Sequence, residues 1–227
     1  MISLQDIQRA GITLLAAFAI QAATAQVGGG VDLVKLDPPQ PVENDGKIEV
    51  LEFFAYGCIH CAHLEPKLAE WAKAQPADVK FVRVPSPFAV RGVDSVPLFY
   101  TLDAMGMQEK LHQKLFDAIN VDNAMLGNPA VLNKWLEKHG VDPKKYEEMQ
   151  KSFSVQNRIN RARRMTGDYK IAATPTLVVN GRFLLQQGAG GAEGMFANID
   201  RLIAQARLAN KPASAPAATP AAPAKKK

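Results

Sequence analysis

Cysteine is scarce in this sequence: two in 227 residues, so at most one intramolecular disulfide can form. A long apolar run is also missing. The best one, residues 10–20, has eleven residues, and a permanent bilayer-crossing helix needs about 20. Concentrated positive charge is absent from the body of the chain. The formal net charge is +5, but Lys211, Lys225, Lys226 and Lys227 supply four charges near the C-terminus, and Asp6 balances Arg9 near the N-terminus. Residues 26–210 are therefore near +1, which excludes the basic surface expected of a nucleic-acid or anionic-membrane binder. No internal repeat is present. Hydrophobic content of 47% and charged content of 22% are ordinary for a globular protein and name no function.

The N-terminus reads as an export signal. Arg9 precedes the apolar run, and Ala23-Thr24-Ala25 follows it as a small-x-small cleavage site, so the mature chain is expected to start at Gln26. Export places the cysteine pair in an oxidising compartment, where it crosslinks or cycles.

Residues 26–46, rich in Gly and Pro, read as an irregular lead-in with a short strand at 31–36. Residues 48–54 are dense in apolar and β-branched side chains, the mark of a strand buried on both faces; Glu52 is the anomaly within it. Tyr56-Gly57 opens a helix holding Cys58, Cys61, Leu64, Leu68 and Trp71, with Pro66 expected to kink it. Residues 79–84 form a second strand candidate. Over 96–169 the period becomes helical, predicting four or five helices. Asn128-Pro129 and Asp142-Pro143 each put a capping side chain before a proline at the first helical position, and Gly140 marks a helix stop. Asn180-Gly181 between apolar runs 176–179 and 182–185 is a hairpin signal, and 192–208 is a closing helix. The Pro- and Ala-rich tail 211–227 cannot bury a core. Strands alternating with helices, interrupted by a helical block, imply an α/β domain with a helical insertion.

Chemistry centres on Cys58-Ile59-His60-Cys61 at the strand-to-helix junction. A helix N-terminus lowers thiol pKa, and His60 offers a hydrogen bond or positive charge. Cys58, nearer the surface, is read as the attacking sulfur and Cys61 as the resolving one. A structural staple across so short a loop would give little stabilisation. Zinc is disfavoured because Cys58, Cys61, His60 and His63 lie too close together to converge tetrahedrally. Covalent haem attachment wants histidine at position 62, which is Ala62. Glu52 is either a buried carboxyl able to exchange a proton with the resolving thiol or a strand-end group reaching water. His112 and His139 read as surface or capping groups, and Arg158, Arg161, Arg163 and Arg164 as a solvated helix face.

The segments 50–61 and 173–181, together with the helical block, resemble the thioredoxin superfamily and within it the DsbA family, over residues 47–208. The resemblance implies a thioredoxin fold with an inserted helical domain: thioredoxin-like parts at 47–95 and 170–210, and the insertion at 96–169. It also implies a cis Pro175 facing the cysteines, a buried Glu52 beneath them, and substrate contacts through Ile59, Thr174 and Pro175. The implied activity is periplasmic thiol:disulfide exchange on exported proteins, without a metal or other cofactor, since the cysteine pair itself carries two electrons. A DsbB-like membrane quinone reductase is the implied partner. The best-known DsbA sequences have proline where this chain has Ile59 and valine where it has Thr174, which leaves an isomerase or reductase reading beside the oxidase. A peptide-binding holdase using the groove beside Pro175 is the non-enzymatic alternative.

Overall fold

The computed structural model describes residues 32–43, 45–186, 188 and 190–210. The expected export signal and C-terminal tail lie outside the described residues. One five-stranded sheet runs in the order β1-β5-β4-β2-β3, where β1 is Asp32–Lys35, β2 Ile48–Phe54, β3 Val79–Pro85, β4 Thr176–Val179 and β5 Phe183–Gln186. Only β2 and β3 pair in parallel; the remaining neighbours are antiparallel. All seven residues of β2 are buried, as its unbroken apolar run requires of a strand covered on both faces.

The alternation of side chains sorts the core into two layers. Val50, Leu177, Val179 and Leu185 pack with Leu64 and Leu68 of α1 (Ile59–Ala74) and with Met195, Ile199 and Leu202 of α7 (Gly191–Asn210). On the other face Leu51, Phe53, Val178 and Leu184 join the core of the helical block. That block contains five helices: α2 Ser95–Ala104, α3 Gln108–Asn120, α4 Pro129–Lys138, α5 Pro143–Lys151 and α6 Phe153–Asp168.

Local chemistry explains the boundaries. The Asn128 and Asp142 carboxamide and carboxylate accept from the amides of Ala130 and Lys144 at 2.9 and 2.8 Å, with proline at the first turn of each helix. His139 is the C-cap of α4, its Nδ1 2.7 Å from the Trp135 carbonyl, which is the capping role expected of it. Asn180 and Gly181 both take positive φ, 50° and 63°, the backbone a two-residue hairpin turn demands. Helix α1 continues through Pro66, whose missing N–H leaves the Ala62 carbonyl without its intrahelical donor.

Residues 32–40 of the lead-in are more regular than its Gly/Pro-rich composition implied. β1 pairs with β5, and the chain beyond it stays on the hairpin: the amides of Leu36 and Gln40 donate to the carbonyls of Arg182 and Gly181, both at 2.8 Å. A side chain at Gly181 would meet the Gln40 carbonyl at 2.2 Å, so glycine is required there for contact as well as for φ. The Asp37–Pro38 bond is cis, which nothing in the sequence signalled.

Candidate active site

Strand β2 delivers the chain into the loop Ala55-Tyr56-Gly57, and Cys58 follows as the N-cap of α1. Three contacts from the helical block hold that loop. The Tyr56 amide donates to Ser95 Oγ at 2.7 Å, Asn120 Nδ2 donates to the Tyr56 carbonyl at 2.7 Å, and the Tyr56 hydroxyl lies 2.9 Å from His112 Nδ1. Gly57 lets the Val90 carbonyl approach to where a Cβ would sit 2.2 Å away. The residues ahead of the cysteines are therefore fixed from both sides.

The two thiols, both free, occupy unlike surroundings. Cys58 Sγ accepts from the Cys61 amide at 3.3 Å and lies 3.2 Å from the Thr174 carbonyl, to which it donates only while protonated. A hydrogen bond from the Cys61 thiol, then bonds from the Thr174 side chain and the backbone N–H groups of Cys61 and His60, outweigh burial and bring the Cys58 pKa down to about 5. Cys61 is fully buried; burial and the neighbouring Cys58 push its thiol far above the ordinary range. At neutral pH the pair is one thiolate and one thiol.

Below Cys61 lies a buried polar cluster. Glu52 has no exposed surface; burial, and then the Glu65 charge, raise its pKa to about 8 against the opposing pull of Arg83 and so keep it protonated at neutral pH. Neither Glu52 oxygen has a hydrogen-bond partner among the described residues; Arg83 Nε lies 3.5 Å from Oε2. Glu65 on α1 is bound by Arg83 through Nη2 to Oε1 and, at 3.4 Å, through Nε to Oε2. Burial opposes the Glu65 charge, but His112 and Arg83 together overcome it and hold its pKa below the ordinary value.

The structure brings Cys58, Cys61, Thr174 and Pro175 together at one edge, with Glu52 behind. The Thr174–Pro175 bond is cis. A cleft of about 330 Å³ beside it is lined by His60, Thr174, Pro175 and Gln186. Ile59 is 38% exposed, and the His60 and His63 side chains face solvent on α1. Among the contributions to the Cys58 thiolate, His60 acts through its backbone N–H. Among the described residues no cluster of three or more metal-ligating groups forms.

His112 corrects the sequence reading. It is 5% exposed, not a surface or capping group, because it shares the buried face of α3 with Leu115, Phe116 and Ile119. Glu65 and Arg83 carry no expectation from the sequence. Glu65 lies four residues after Cys61, one helical turn along the same face, and a carboxylate in that apolar stripe was the available signal.

Residues 92–197 match the model of the DSBA-like thioredoxin domain. The thiol:disulfide interchange protein DsbA of Pseudomonas aeruginosa is 35% identical over 203 residues, covering 88% of this chain and 95% of the relative. The protein of the same name from Bordetella parapertussis is 38% identical over 201 residues, covering 86% and 96%. The crystal structure of Pseudomonas aeruginosa DsbA superposes with a TM-score of 0.72 at 36% identity, covering 78% of this chain and 93% of that one. With the sheet, the helical block and the cysteine pair arranged as described, this chain belongs to the DsbA family of thioredoxin-fold proteins.

Proposed function

We propose that the protein is a periplasmic thiol:disulfide oxidase that passes a Cys58–Cys61 disulfide to newly exported polypeptides. The observation that carries this reading is the asymmetry of the two thiols: Cys58 is set to be a thiolate and Cys61 is buried over a protonated Glu52.

A substrate thiolate attacks Cys58 Sγ of the oxidised enzyme. The Cys58–Cys61 bond breaks, and Cys61 leaves as a thiolate that takes the Glu52 proton. A second substrate thiolate then attacks the substrate sulfur of the mixed disulfide. The product disulfide forms and Cys58 leaves as a thiolate. Two electrons have moved from substrate to enzyme. A low leaving-group pKa speeds that last step, and a stabilised reduced form makes the enzyme an oxidant. Ile59, Thr174 and Pro175 frame the substrate segment, with His60 lining the cleft beside them. A DsbB-like membrane quinone reductase takes the two electrons and restores the disulfide. Residues 1–25 act as the cleaved export signal; 47–95 with 170–210 form the thioredoxin-like unit, and 96–169 the insertion.

Equilibration with a glutathione buffer, combined with thiolate absorbance against pH, tests the reading. Cys58 should titrate near 5, and the pair should be more oxidising than glutathione. Titration near the ordinary value of 9.0, with a pair more reducing than glutathione, would move the protein to the reductase or isomerase reading.

A further inference from the structure

One buried ionisable group plays no part in that exchange: His112, contributed by α3 of the helical block. Its ring is packed among Phe54, Phe99 and Phe116, and the floor of a cleft of about 460 Å³ between α1, β3 and α3 reaches it beside Glu65 and Arg83. The groups facing it are the Tyr56 hydroxyl from the loop after β2, Glu65 from α1, Arg83 from β3, and Gln108 and Glu109 from α3 itself.

These neighbours fix its tautomer. Burial pushes the imidazole below its ordinary range, so it is neutral at pH 7. Glu65 is an anion and can only accept, which places the ring proton on Nε2, 3.4 Å from Glu65 Oε2. Nδ1 then accepts from the Tyr56 hydroxyl at 2.9 Å, whose own proton burial retains. The contact of Nε2 with Glu65 lies at ion-pair distance but outside hydrogen-bond geometry, so Nε2 is a buried donor without a hydrogen bond among the described residues, facing Glu65 Oε2.

Glu65 Oε2 is the atom on which the arrangement turns. His112 Nε2 and Arg83 Nε both lie 3.4 Å from it, and the same Arg83 Nε lies 3.5 Å from Glu52 Oε2. The guanidinium is shared between two carboxyl groups, and the histidine turns an N–H toward one of them. We propose that His112 is a positioning residue of the redox centre, its Nε2–H dipole facing Glu65 Oε2 at 3.4 Å so that Arg83 Nε stays within reach of Glu52. Without that donor Arg83 is drawn toward Glu65. Glu52 then loses its one counter-charge and holds its proton to higher pH. This inference rests on Glu52 being the proton partner of Cys61.

The test follows one step of exchange. Reduced protein is mixed with a large excess of an aromatic disulfide: the Cys58 thiolate forms the mixed disulfide and expels a first aromatic thiolate in a fast phase, and Cys61 then passes its proton to the Glu52 carboxylate. The Cys61 thiolate attacks Cys58 Sγ and expels the second aromatic thiolate, and this second absorbance phase gives the rate. In wild type this resolving step should rise with pH through a midpoint near 8. His112→Phe should move the midpoint up by about one unit, the low end of what a neighbouring opposite charge contributes. Below the midpoint the rate should drop about tenfold, because one unit is tenfold in carboxylate fraction. His112→Gln, which keeps a donor at the position of Nε2, should restore the wild-type midpoint. If the phenylalanine variant does not fold, His112→Asn replaces it, since its amide stops short of Glu65 and should give the same shift. A midpoint that stays in place, or moves equally in the glutamine variant, overturns the proposal. Glu52→Gln separates the two levels: a pH limb that survives it overturns the Glu52 reading and this inference together. A limb that it abolishes, with His112→Phe unshifted, overturns only the role of His112.

Discussion

Beneath α1, the side chains of Glu52, Glu65, Arg83 and His112 are 0%, 5%, 18% and 6% exposed. Along α6, Arg158, Arg161 and Arg163 pair with Asp103, Glu43 and Asp94, and every side chain involved is between 36% and 61% exposed. The residue types are nearly the same, and so are the distances. What differs is water. On α6 each pair is an ordinary, solvent-screened surface contact of the kind that contributes little. Beneath α1 one guanidinium serves two carboxyl groups that cannot both be ionised cheaply, so one is held neutral near 8 and the other remains an anion. Neighbouring carboxyls driven apart in pKa are how a site acquires separate acid and base roles. Of the arginine stretch of α6, read from sequence as a solvated face, Arg158, Arg161 and Arg163 are half-exposed and find acidic partners within the same chain.

The largest effect expected from the buried set appears in the reduced protein. The Cys58 pKa is depressed in the folded state, so its contribution to stability is fully present above the unfolded value, near 9.0, and is lost as pH falls through about 5. At about 1.4 kcal/mol per unit, that is roughly 3 kcal/mol at pH 7; above about 9 the raised Cys61 pKa works against it. The oxidised protein carries no such thiolate. Urea unfolding of both forms across this range should show the reduced form gaining on the oxidised one with rising pH. Parallel curves would erase the distinction between the two thiols.

Glu52→Gln comes next, with the opposite sign. A folded pKa of about 8 against an ordinary 4.5 means that the folded state holds a proton the unfolded chain has released. Its stabilising contribution is full below 4.5 and is lost as pH rises through 8. Removing the ionisable proton should therefore stabilise at pH 7 by at most about 3 kcal/mol, less the cost of an amide with no partner in the same pocket. The gain should vanish below 4.5. A variant destabilised more at pH 7 than at pH 4 would show Glu52 to be an anion paired with Arg83.

The sequence revealed these two regions unequally. Strand β2, the hairpin at Asn180-Gly181 and the caps at Asn128 and Asp142 were legible because each rests on neighbouring residues alone: a run, a turn dipeptide, a cap followed by proline. Cys58 and Cys61 were legible for the same reason, their spacing and the adjoining helix start being local. Glu52 stood out only as a carboxyl in an apolar run, and its two readings stayed open until burial was known. Arg83 and His112 acquire their roles from residues 18 and 47 positions away, through Glu65. His112 follows Leu111 in an amphipathic pattern, and periodicity cannot distinguish a polar residue at the edge of the buried face from one inside it. Residues 36–40 were illegible for a related reason: their backbone bonds go to Gly181 and Arg182, and Gly/Pro-rich composition does not reveal a distant partner.

The smallest expected effect belongs to the exposed set, and Asp94 allows it to be divided. One carboxylate oxygen accepts from the Val96 amide at 3.0 Å as the N-cap of α2, and the other accepts from Arg163 Nη2 at 2.9 Å. Asn keeps the cap and removes the charge; Ala removes both. Since the pair is exposed, Asp94→Asn should cost no more than about 1 kcal/mol, and high salt should shrink the difference from wild type. Asp94→Ala should cost about 1 kcal/mol more, the usual worth of an N-cap. Because α2 also supplies Ser95, whose hydroxyl accepts the Tyr56 amide, fraying at this cap has a route to the cysteine loop that the ion pair lacks. Thermal unfolding and exchange rate should therefore separate the variants: Asn leaves both close to wild type, whereas Ala lowers stability and slows exchange. Equal losses in Asn and Ala would mean that the exposed charge pair, rather than the cap, holds this corner, and the contrast between the two sets of charges would fail.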